Sequence, residues 1–209
     1  MHHRIRRGAR GARGATAPVP ALWLLSDPAR LPDPTPLLDG LPRGAAVLLR
    51  GAAPEVARRV ARICRAKGLL LLVSGDGRAA LRLGAGLHVP DRAACRNLLP
   101  FLLNRRSRLL STAIHGRIGV ARARRLGADA ALVSPAFPTE SHPGATALGP
   151  LRWAVLAGAA RRPAVALGGM TALRMRRLPG RRAAGWAAIG AWQQSVAHQP
   201  QCLREVALP

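Results

Sequence analysis

The sequence predicts an α/β protein that folds as one (β/α)8 barrel, the TIM barrel, after a basic N-terminal arm. Two observations support this prediction. Short apolar runs alternate with amphipathic stretches along most of the 209 residues, and there are eight such runs. Each run is apolar throughout, which is typical of strands buried on both faces, as in a parallel sheet covered by helices. A doubly wound open sheet is the alternative, because periodicity alone does not exclude it.

The eight apolar runs are the predicted strands of the barrel. In chain order they are Ala21–Leu25, Ala45–Leu49, Leu69–Val73, Gly86–Val89, Arg108–Ile114, Ala130–Val133, Pro163–Leu167 and Gly185–Ile189. Eight strands, each followed by a helical or short connecting segment, fit a (β/α)8 barrel near the lower limit of its size. The first connection, Pro34–Gly44, is abbreviated.

Two connecting stretches carry the pattern of an amphipathic helix. In Glu55–Gly68 the apolar side chains fall on one face and the arginines largely on the other, and the stretch ends at a glycine. Gly116–Gly127 repeats this pattern, with Ile118, Val120 and Leu126 on the predicted apolar face. Helices of this kind cover the outside of a parallel barrel, so both stretches support the predicted fold.

Length and composition predict one globular domain. The 209 residues, 49% of them hydrophobic, can bury one sizeable core. Residues 21–209 are therefore assigned to the barrel, and residues 1–20, which are rich in Arg and Gly and lack apolar periodicity, to a disordered arm. The longest aliphatic run, Leu69–Val73, is far shorter than the roughly 20 residues of a membrane-spanning helix, so no contact with a membrane is expected.

A cytoplasmic location is expected from the first residues and from the cysteines. The basic start resembles the beginning of a signal peptide, but the apolar segment that follows ends at Ser26. Cys64, Cys95 and Cys202 are widely separated and odd in number, without the close pairs of a zinc site or redox motif. They are predicted to be reduced thiols.

The formal net charge of +24 would suggest a nucleic-acid partner if it stood alone. Nearly all of this charge is Arg, with Lys67 the only lysine, in a chain that is also rich in Ala, Gly and Pro. Proteins that bind single strands usually interleave basic residues with stacking aromatics, whereas aromatics are 3% of this chain. We therefore expect solvated helix faces and no nucleic-acid partner.

Functional residues of such a barrel follow the strands, at their carboxyl ends. Phosphate groups are commonly held there by backbone N–H groups after the seventh and eighth strands, where small residues allow close approach. Gly168 and Gly169 follow the seventh predicted strand, and Gly190 follows the eighth. A phosphate-ester site is predicted at these three glycines.

Three motifs, Gly-Ala-Asp, Ser-Pro-x-Phe-Pro-Thr and Leu-Gly-Gly, occur in the order that the predicted strands require. They lie in GADAALVSPAFPTESHPGATALGPLRWA, residues 127–154, and PAVALGGMT, residues 163–171. Together they resemble the thiamine phosphate synthase family and its sister group, the thiazole tautomerases, from about Trp23 to Trp192. The resemblance implies an eight-stranded barrel. The family's synthases join a pyrimidine pyrophosphate to a thiazole phosphate and release pyrophosphate with the help of magnesium.

The resemblance implies a substrate-binding loop after the sixth strand. Thr139, Ser141 and His142 take the places of a family Thr-x-Thr-Lys loop that binds pyrophosphate, although His is a weaker point charge than Lys at neutral pH. Ser134 and Gly149, near the two ends of the same loop, are assigned to substrate or phosphate binding with them.

The family's catalytic cations are only partly present. Arg50 matches an arginine at the end of the family's second strand and is assigned a catalytic role. Leu48 and Ala52 stand where the family has a glutamine and a lysine. The resemblance therefore implies a reduced site for the anion and the pyrimidine, and weak synthase activity.

The resemblance also implies magnesium as a cofactor, with Asp76 and Asp91 as its ligands. The family's Asn-Asp pair after the third strand aligns with Ser74 and Gly75, one residue before Asp76, so the first metal carboxylate is absent or displaced. Asp91, after the fourth strand, is the candidate for the second.

His115 follows the fifth strand, where the resemblance to the thiazole tautomerases implies a histidine that shuttles a proton. The intrinsic pKa of imidazole suits this work. A histidine that is bonded to the backbone at the start of a helix is the alternative. His88, inside the fourth strand, is predicted to be a core residue with its hydrogen bonds satisfied.

Three hypotheses for the function follow. The first is a thiamine phosphate synthase that binds a thiazole phosphate and a pyrimidine pyrophosphate. The second keeps the phosphate site but replaces condensation by proton transfer at His115, without magnesium, and the altered metal and lysine positions favour it. The third is a non-catalytic barrel that binds a phosphate ester, or an arginine-rich barrel bound to nucleic acid.

Overall fold

The eight predicted strands form a closed parallel barrel. A computed structural model of the protein describes residues 18–91, 93–139, 144, 146–179 and 183–189. Its strands pair in the order of the chain, and the last strand pairs with the first. Every pairing is parallel, so all eight strands end at the same rim. The predicted TIM barrel is confirmed, and the open-sheet alternative is wrong.

The strand bounds differ from the predicted runs by at most two residues at either end. The strands are β1 (Leu22–Leu25), β2 (Ala46–Leu49), β3 (Leu70–Ser74), β4 (Gly86–Val89), β5 (Leu110–Ile114), β6 (Ala130–Val133), β7 (Ala164–Leu167) and β8 (Ala183–Ala188). In β1, β2, β4 and β6 every residue is buried, as expected of strands covered on both faces.

Helices cover the outside of the barrel. They are α1 (Pro54–Lys67), α2 (Gly77–Leu83), α3 (Leu98–Asn104), α4 (Arg117–Leu126), α5 (Gly149–Ala160) and α6 (Ala172–Met175). The abbreviated first connection contains a 3₁₀ helix, Thr35–Gly40. The predicted amphipathic helices correspond to α1 and α4, and each ends at a left-handed glycine, Gly68 or Gly127. None of the described helices is long and apolar enough to cross a membrane.

The prediction assigned one residue, Ile118, to the wrong face of α4. Val120 is buried against the sheet together with Ala123, whereas the Ile118 side chain is 82% exposed. Ile118 lies two residues before Val120, about 200° around the helix axis, so both cannot face the sheet. The packing against β5 selects the face that contains Gly119, where a Cβ atom would lie 2.9 Å from the Cα atom of Ile114.

The core has two parts, and the smaller part shows which side chains of β4 and β5 face the helices and which face the barrel interior. It lies between β4, β5 and the helices α2 and α3, and consists of Ala80, Leu87, Val89, Phe101 and Leu110. Side chains alternate along a strand, so His88, between Leu87 and Val89, points into the barrel. Ser111, which follows Leu110, points the same way.

The chain is packed against the barrel before β1 begins. Pro20 is buried, and the indole Nε1 of Trp23 donates a hydrogen bond to its carbonyl oxygen at 2.7 Å. Residues 1–17 of the predicted arm lie outside the described residues. The last residues of that predicted arm, Val19 and Pro20, thus contribute to the fold.

A buried ion pair joins the end of α3 to the start of β6. Arg105 Nη1 donates to Asp129 Oδ2 at 2.7 Å and Nη2 donates to Oδ1 at 3.3 Å, with only 12% and 11% of the two side chains exposed. The backbone N–H of Leu110 also donates to Asp129 Oδ2, at 2.8 Å. Asp129, the aspartate of the Gly-Ala-Asp motif, therefore fixes the position of the chain where β5 and β6 begin.

We expect Asp129→Asn to lower the free energy of unfolding by about 3 kcal/mol, because it leaves the buried Arg105 cation without its counter-charge. Urea denaturation measures the change. The matched control is Asp39→Asn, which removes an ion pair of 2.9 Å to Lys67 in which Asp39 is 84% exposed. Its effect should be below about 1 kcal/mol. Equal losses in the two variants would contradict the role given to Asp129.

Candidate active site

The carboxyl ends of the strands form one opening of the barrel, here called the mouth. Arg50 follows β2, Asp91 follows β4, His115 follows β5, Ser134 follows β6 and Gly168 follows β7. Parallel pairing brings the ends of these strands, which are far apart in the chain, around one opening.

Arg50 is held at the mouth by the turn after β1. Its Nε donates to the carbonyl oxygen of Ser26 at 2.8 Å, and its Nη2 donates to Asp27 Oδ2 at 2.8 Å. Burial lowers the pKa of Arg50, and the charge of Asp27 opposes this effect. An arginine keeps its proton in either case, so Arg50 supplies a permanent positive charge.

His115 lies beside a carboxylate. Its Nδ1 is 2.8 Å from Asp91 Oδ2, and Arg122 Nη2 donates to the other oxygen, Oδ1, at 2.6 Å. The partner of His115 Nδ1 is thus a carboxylate side chain, whereas the alternative drawn from the sequence was a bond to the backbone. The His115 side chain is 42% exposed, and its Nε2 has no hydrogen-bond partner among the described residues. This nitrogen is therefore accessible to a ligand.

Asp91 is ionised in this arrangement. Burial raises the pKa of its carboxyl group, but the hydrogen bonds from Arg122 and His115, together with the positive charge of Arg122, outweigh burial and lower the pKa. A carboxylate that faces the Nδ1 side of an imidazole favours the tautomer that carries its proton on Nδ1.

Asp76 has a structural task at the start of α2. Its Oδ1 accepts hydrogen bonds from the backbone N–H groups of Arg78 and Ala79 and from the side-chain amide of Asn97. Its Oδ2 lies 3.8 Å from Arg96. Burial raises the pKa of Asp76, but these hydrogen bonds and the charge of Arg96 lower it overall. Asp76 is an N-cap residue of the kind that stabilises a helix start.

The two predicted magnesium ligands do not fit the ion. Magnesium requires an octahedral set of oxygen ligands and is usually held by carboxylates. Both oxygens of Asp91 are already bound by Arg122 and His115, and Asp76 is committed to its helix cap. The described part of the chain also contains no group of three or more His, Cys, Asp or Glu residues that could hold a metal ion.

The turn after β7 combines tight packing with backbone N–H groups that meet no acceptor in the described ranges. A Cβ atom at Gly169 would lie 2.3 Å from the carbonyl oxygen of Pro138, and one at Gly168 would lie 2.9 Å from the Cα atom of Pro135. Both glycines have left-handed φ values, 92° and 61°. Their N–H groups have no acceptor among the described residues. Two adjacent free N–H groups of this kind can bind an anion.

The loop after β6 is only partly described. Ser134 is buried, Thr139 is partly exposed, and the N–H of Gly149 donates to the carbonyl oxygen of Ala136 at 3.0 Å. The N–H of Gly149 therefore closes this loop and is not available to a phosphate group. Ser141, His142 and Gly190 lie outside the described residues.

His88 lies inside the barrel, below the mouth. Its Nδ1 is 2.9 Å from the hydroxyl oxygen of Ser111, and its Nε2 has no partner in the described ranges. Burial lowers the pKa of His88 to about 3, and the positive charges of Arg50 and Arg122 add to the effect. The imidazole is therefore neutral at physiological pH. The core position predicted for His88 is confirmed, but one of its two nitrogens has no hydrogen-bond partner in the described part of the chain.

Two arginines acquire roles at the mouth that their sequence positions do not reveal. The amphipathic pattern of α4 places Arg122 opposite the predicted apolar face, yet its guanidinium reaches Asp91. Arg174, in α6, donates from Nη1 to the carbonyl oxygen of Gly169 at 2.6 Å and lies 5.6 Å from the centre of the Phe137 ring. Arg122 shares α4 with other arginines, and Arg174 is followed closely by Arg176 and Arg177, so no local signal separates either from solvated arginines.

Comparison with known proteins agrees with this architecture. A family model described as thiamine monophosphate synthase matches residues 50–192, more than half of the chain. Among curated protein sequences, no significant match is found.

Solved structures share the barrel at low sequence identity. Thiamine phosphate pyrophosphorylase from Pyrococcus furiosus has a TM-score of 0.71 and 19% identity, over 88% of this chain and 94% of that one. FabK from Thermotoga maritima has a TM-score of 0.65 and 14% identity, over 85% of this chain and 60% of that one. A 3-hexulose-6-phosphate synthase has a TM-score of 0.61 and 15% identity, over 90% and 100% of the two chains. These likenesses concern the fold alone.

The neutral state of His88 predicts a pH-dependent stability. The pKa of His88 is about 3 in the folded protein and near 6.5 when unfolded, so between these values the unfolded chain binds a proton that the folded protein does not. Stability is therefore full above pH 6.5 and falls as the pH drops towards 3, by up to about 1.4 kcal/mol per pH unit. Urea denaturation at pH 6.5, 5 and 4 should show a smaller slope for His88→Gln than for the parent. Identical slopes would contradict the buried neutral imidazole.

Proposed function

The chain belongs to the thiamine monophosphate synthase family, and we propose that it binds a phosphorylated thiazole at the mouth and moves a proton on that ligand with His115. One observation carries the proposal. A half-exposed imidazole follows β5, and two N–H groups without a described acceptor follow β7, at the same end of the barrel. An acid–base group and an anion site thus surround a single opening.

The phosphate group of the ligand would bind at the turn formed by Gly168 and Gly169. Backbone N–H groups suit a phosphate because they point at its oxygens and carry no side chain that blocks approach. Arg174 binds the Gly169 carbonyl oxygen and so stabilises the turn. Arg50 adds a permanent positive charge at the mouth, which favours an anionic ligand.

The thiazole ring would then lie within reach of His115. The neutral Nε2 takes a proton from one ring position, the C–H bond breaks, and its electron pair enters the conjugated ring system. The same nitrogen returns the proton to another ring atom, so the ligand isomerises with no net change in protons or electrons. A positioned histidine of this kind contributes about a hundred- to ten-thousand-fold in rate.

Condensation with a pyrimidine pyrophosphate is the second candidate, and family membership together with Arg50 favours it. Leu48, Ala52 and Gly75 stand where the family pattern has an amide, a cation and a carboxylate. The engagement of Asp76 and Asp91 within the protein reduces the support for a leaving pyrophosphate further. Charge placed on a leaving group is worth several kcal/mol of barrier, so we expect weak synthase turnover at most.

Titration with inorganic phosphate should shift the backbone amide NMR signals of Gly168 and Gly169 more than those of other described glycines, because these N–H groups would become hydrogen-bond donors. In Gly169→Ala the new Cβ atom would force the Pro138 carbonyl away from the turn. Calorimetry should then show phosphate-ester affinity reduced at least tenfold, or about 1.4 kcal/mol.

The matched control for this prediction is Gly44→Ala. Gly44 has a similar left-handed φ of 84°, but a Cβ atom there would meet nothing within 4 Å. It precedes β2 and therefore lies at the opposite end of the barrel. Gly44→Ala therefore introduces the same kind of backbone strain away from the mouth. The phosphate-ester affinity of this variant should equal that of the parent. Unchanged affinity in Gly169→Ala would move the phosphate site elsewhere.

His115→Asn should abolish exchange of the thiazole ring proton into heavy water, because the amide cannot carry a proton near neutral pH. NMR of the thiazole phosphate follows the exchange, and calorimetry should show that phosphate-ester binding persists. Equal exchange in the variant and the parent would remove His115 from the mechanism.

A second assay with the same preparations separates the two candidates. The parent protein is mixed with both synthase substrates and magnesium, and thiamine phosphate and pyrophosphate are measured together. Ring-proton exchange with little condensation supports proton transfer. Rapid condensation that depends on magnesium supports the synthase instead.

A further inference from the structure

We propose that Asp91, locked by Arg122, is a positioning residue that orients His115, and that it serves this purpose in place of binding a metal. The inference rests on the proposed function, because it assigns the chemistry of the same histidine. It differs from the expectation of a magnesium ligand at Asp91. The supporting observations are the distances within the three-residue group of Asp91, His115 and Arg122, and the way in which Arg122 is anchored.

Arg122 is fixed on all sides by acceptors at the ends of β4 and β5. Nε donates to Thr112 Oγ1 at 3.1 Å, and Nη2 donates to the Ala113 carbonyl oxygen at 2.6 Å. Nη1 donates to the Asp91 carbonyl oxygen at 3.3 Å, and Nη2 also donates to Asp91 Oδ1 at 2.6 Å. Only 15% of the Arg122 side chain is exposed. The guanidinium therefore holds both the backbone and the carboxylate of Asp91.

The fixed carboxylate leaves one oxygen for His115. Because Oδ1 is bound by Arg122, Oδ2 is the oxygen that faces His115 Nδ1, at 2.8 Å. An ionised carboxylate only accepts hydrogen bonds, so Nδ1 must carry the proton in the neutral ring. The lone pair then resides on Nε2, the nitrogen without a described partner. Asp91 thus selects the basic atom and restricts rotation of a side chain that is otherwise half-exposed.

A magnesium ion at Asp91 would have to displace these contacts. The ion would compete with the Arg122 cation for Oδ1 and with His115 for Oδ2, and the unpaired guanidinium would then repel it. Removal of one partner of a largely buried charge pair is costly, because the other charge loses its compensation. The carboxylate of Asp91, expected from the sequence to bind magnesium, therefore serves His115 instead.

The first test reads the tautomer directly and needs no activity. Full-length protein labelled with ¹⁵N at histidine is measured by long-range ¹H–¹⁵N NMR, and His115→Asn identifies the His115 signals. We expect a protonated Nδ1 and an unprotonated Nε2 in the parent, and a loss of this preference in Asp91→Ala. The control Asp76→Ala, which removes a carboxylate that does not touch His115, should leave the pattern unchanged. A parent His115 with its proton on Nε2 would overturn the proposal.

The second test measures the effect of Asp91 on ring-proton exchange. Asp91→Asn should slow ring-proton exchange about 10- to 100-fold, the usual effect of losing an orienting partner, while affinity for the phosphate ester stays the same. Exchange in Asp91→Asn at the rate of the parent, or recovery of Asp91→Asn by added magnesium, would overturn the positioning role. Asp39→Asn is the matched surface control for exchange.

Two further measurements keep the outcomes distinct. If Asp91→Asn melts at a much lower temperature, the double variant Asp91→Asn with Arg122→Met, which removes both charges, replaces it in the exchange assay. If the parent exchanges no ring proton, the proposed function fails, and the tautomer measurement still decides whether Asp91 orients His115. A correct tautomer without exchange would therefore reject the function and retain the positioning pair.

Discussion

Closure of the barrel between β8 and β1 is the constraint on which the rest of the structure depends. The backbone N–H of Trp186 donates to the carbonyl oxygen of Ala21 at 2.9 Å, and a Cβ atom at Gly185 would lie 2.4 Å from that same oxygen. Only glycine allows the two strands to approach this closely. Since parallel strands that close into a ring must all end at one rim, closure also brings Arg50, His115 and Gly168 around one mouth. The candidate site is thus a consequence of how the last strand meets the first.

A second feature is the use of scarce carboxylates by an arginine-rich chain. The formal net charge is +24, and each of the six aspartates in the described part of the chain lies within ion-pair distance of an arginine or lysine. In such a chain a carboxylate at the mouth has a cation within reach and is neutralised by it. This accounts for the poor fit of Asp76 and Asp91 to magnesium. It also explains why Asp91, whose Oδ1 is bound by Arg122, has only Oδ2 left to contact His115.

The loops after β6 and β7 depend on each other. The N–H of Ala136 donates to the carbonyl oxygen of Leu167 at 2.8 Å, and the N–H of Phe137 donates to that of Gly168 at 3.1 Å. These bonds extend the pairing of β6 and β7 beyond the strands and use the carbonyl groups of the glycine turn. In each of these two peptide groups the N–H points away from the carbonyl oxygen, so the N–H groups of Gly168 and Gly169 take no part in the bonds to the β6 loop. The close packing that requires glycine at positions 168 and 169 therefore also leaves their N–H groups without an acceptor among the described residues.

The sequence by itself determined the eight strands, their parallel arrangement and the positions that follow them, because strands buried on both faces must be apolar throughout and this pattern is local. It also located Arg50, His115 and the two glycines after β7. Tertiary structure alone decided what the polar side chains do. Arg122 follows the periodicity of a solvent-facing helix residue, and Asp91 has the residue type of a metal ligand. They pair because the fold brings residues 31 positions apart within 2.6 Å. Charge pairing across a barrel depends on distance in space, which no pattern along the chain encodes.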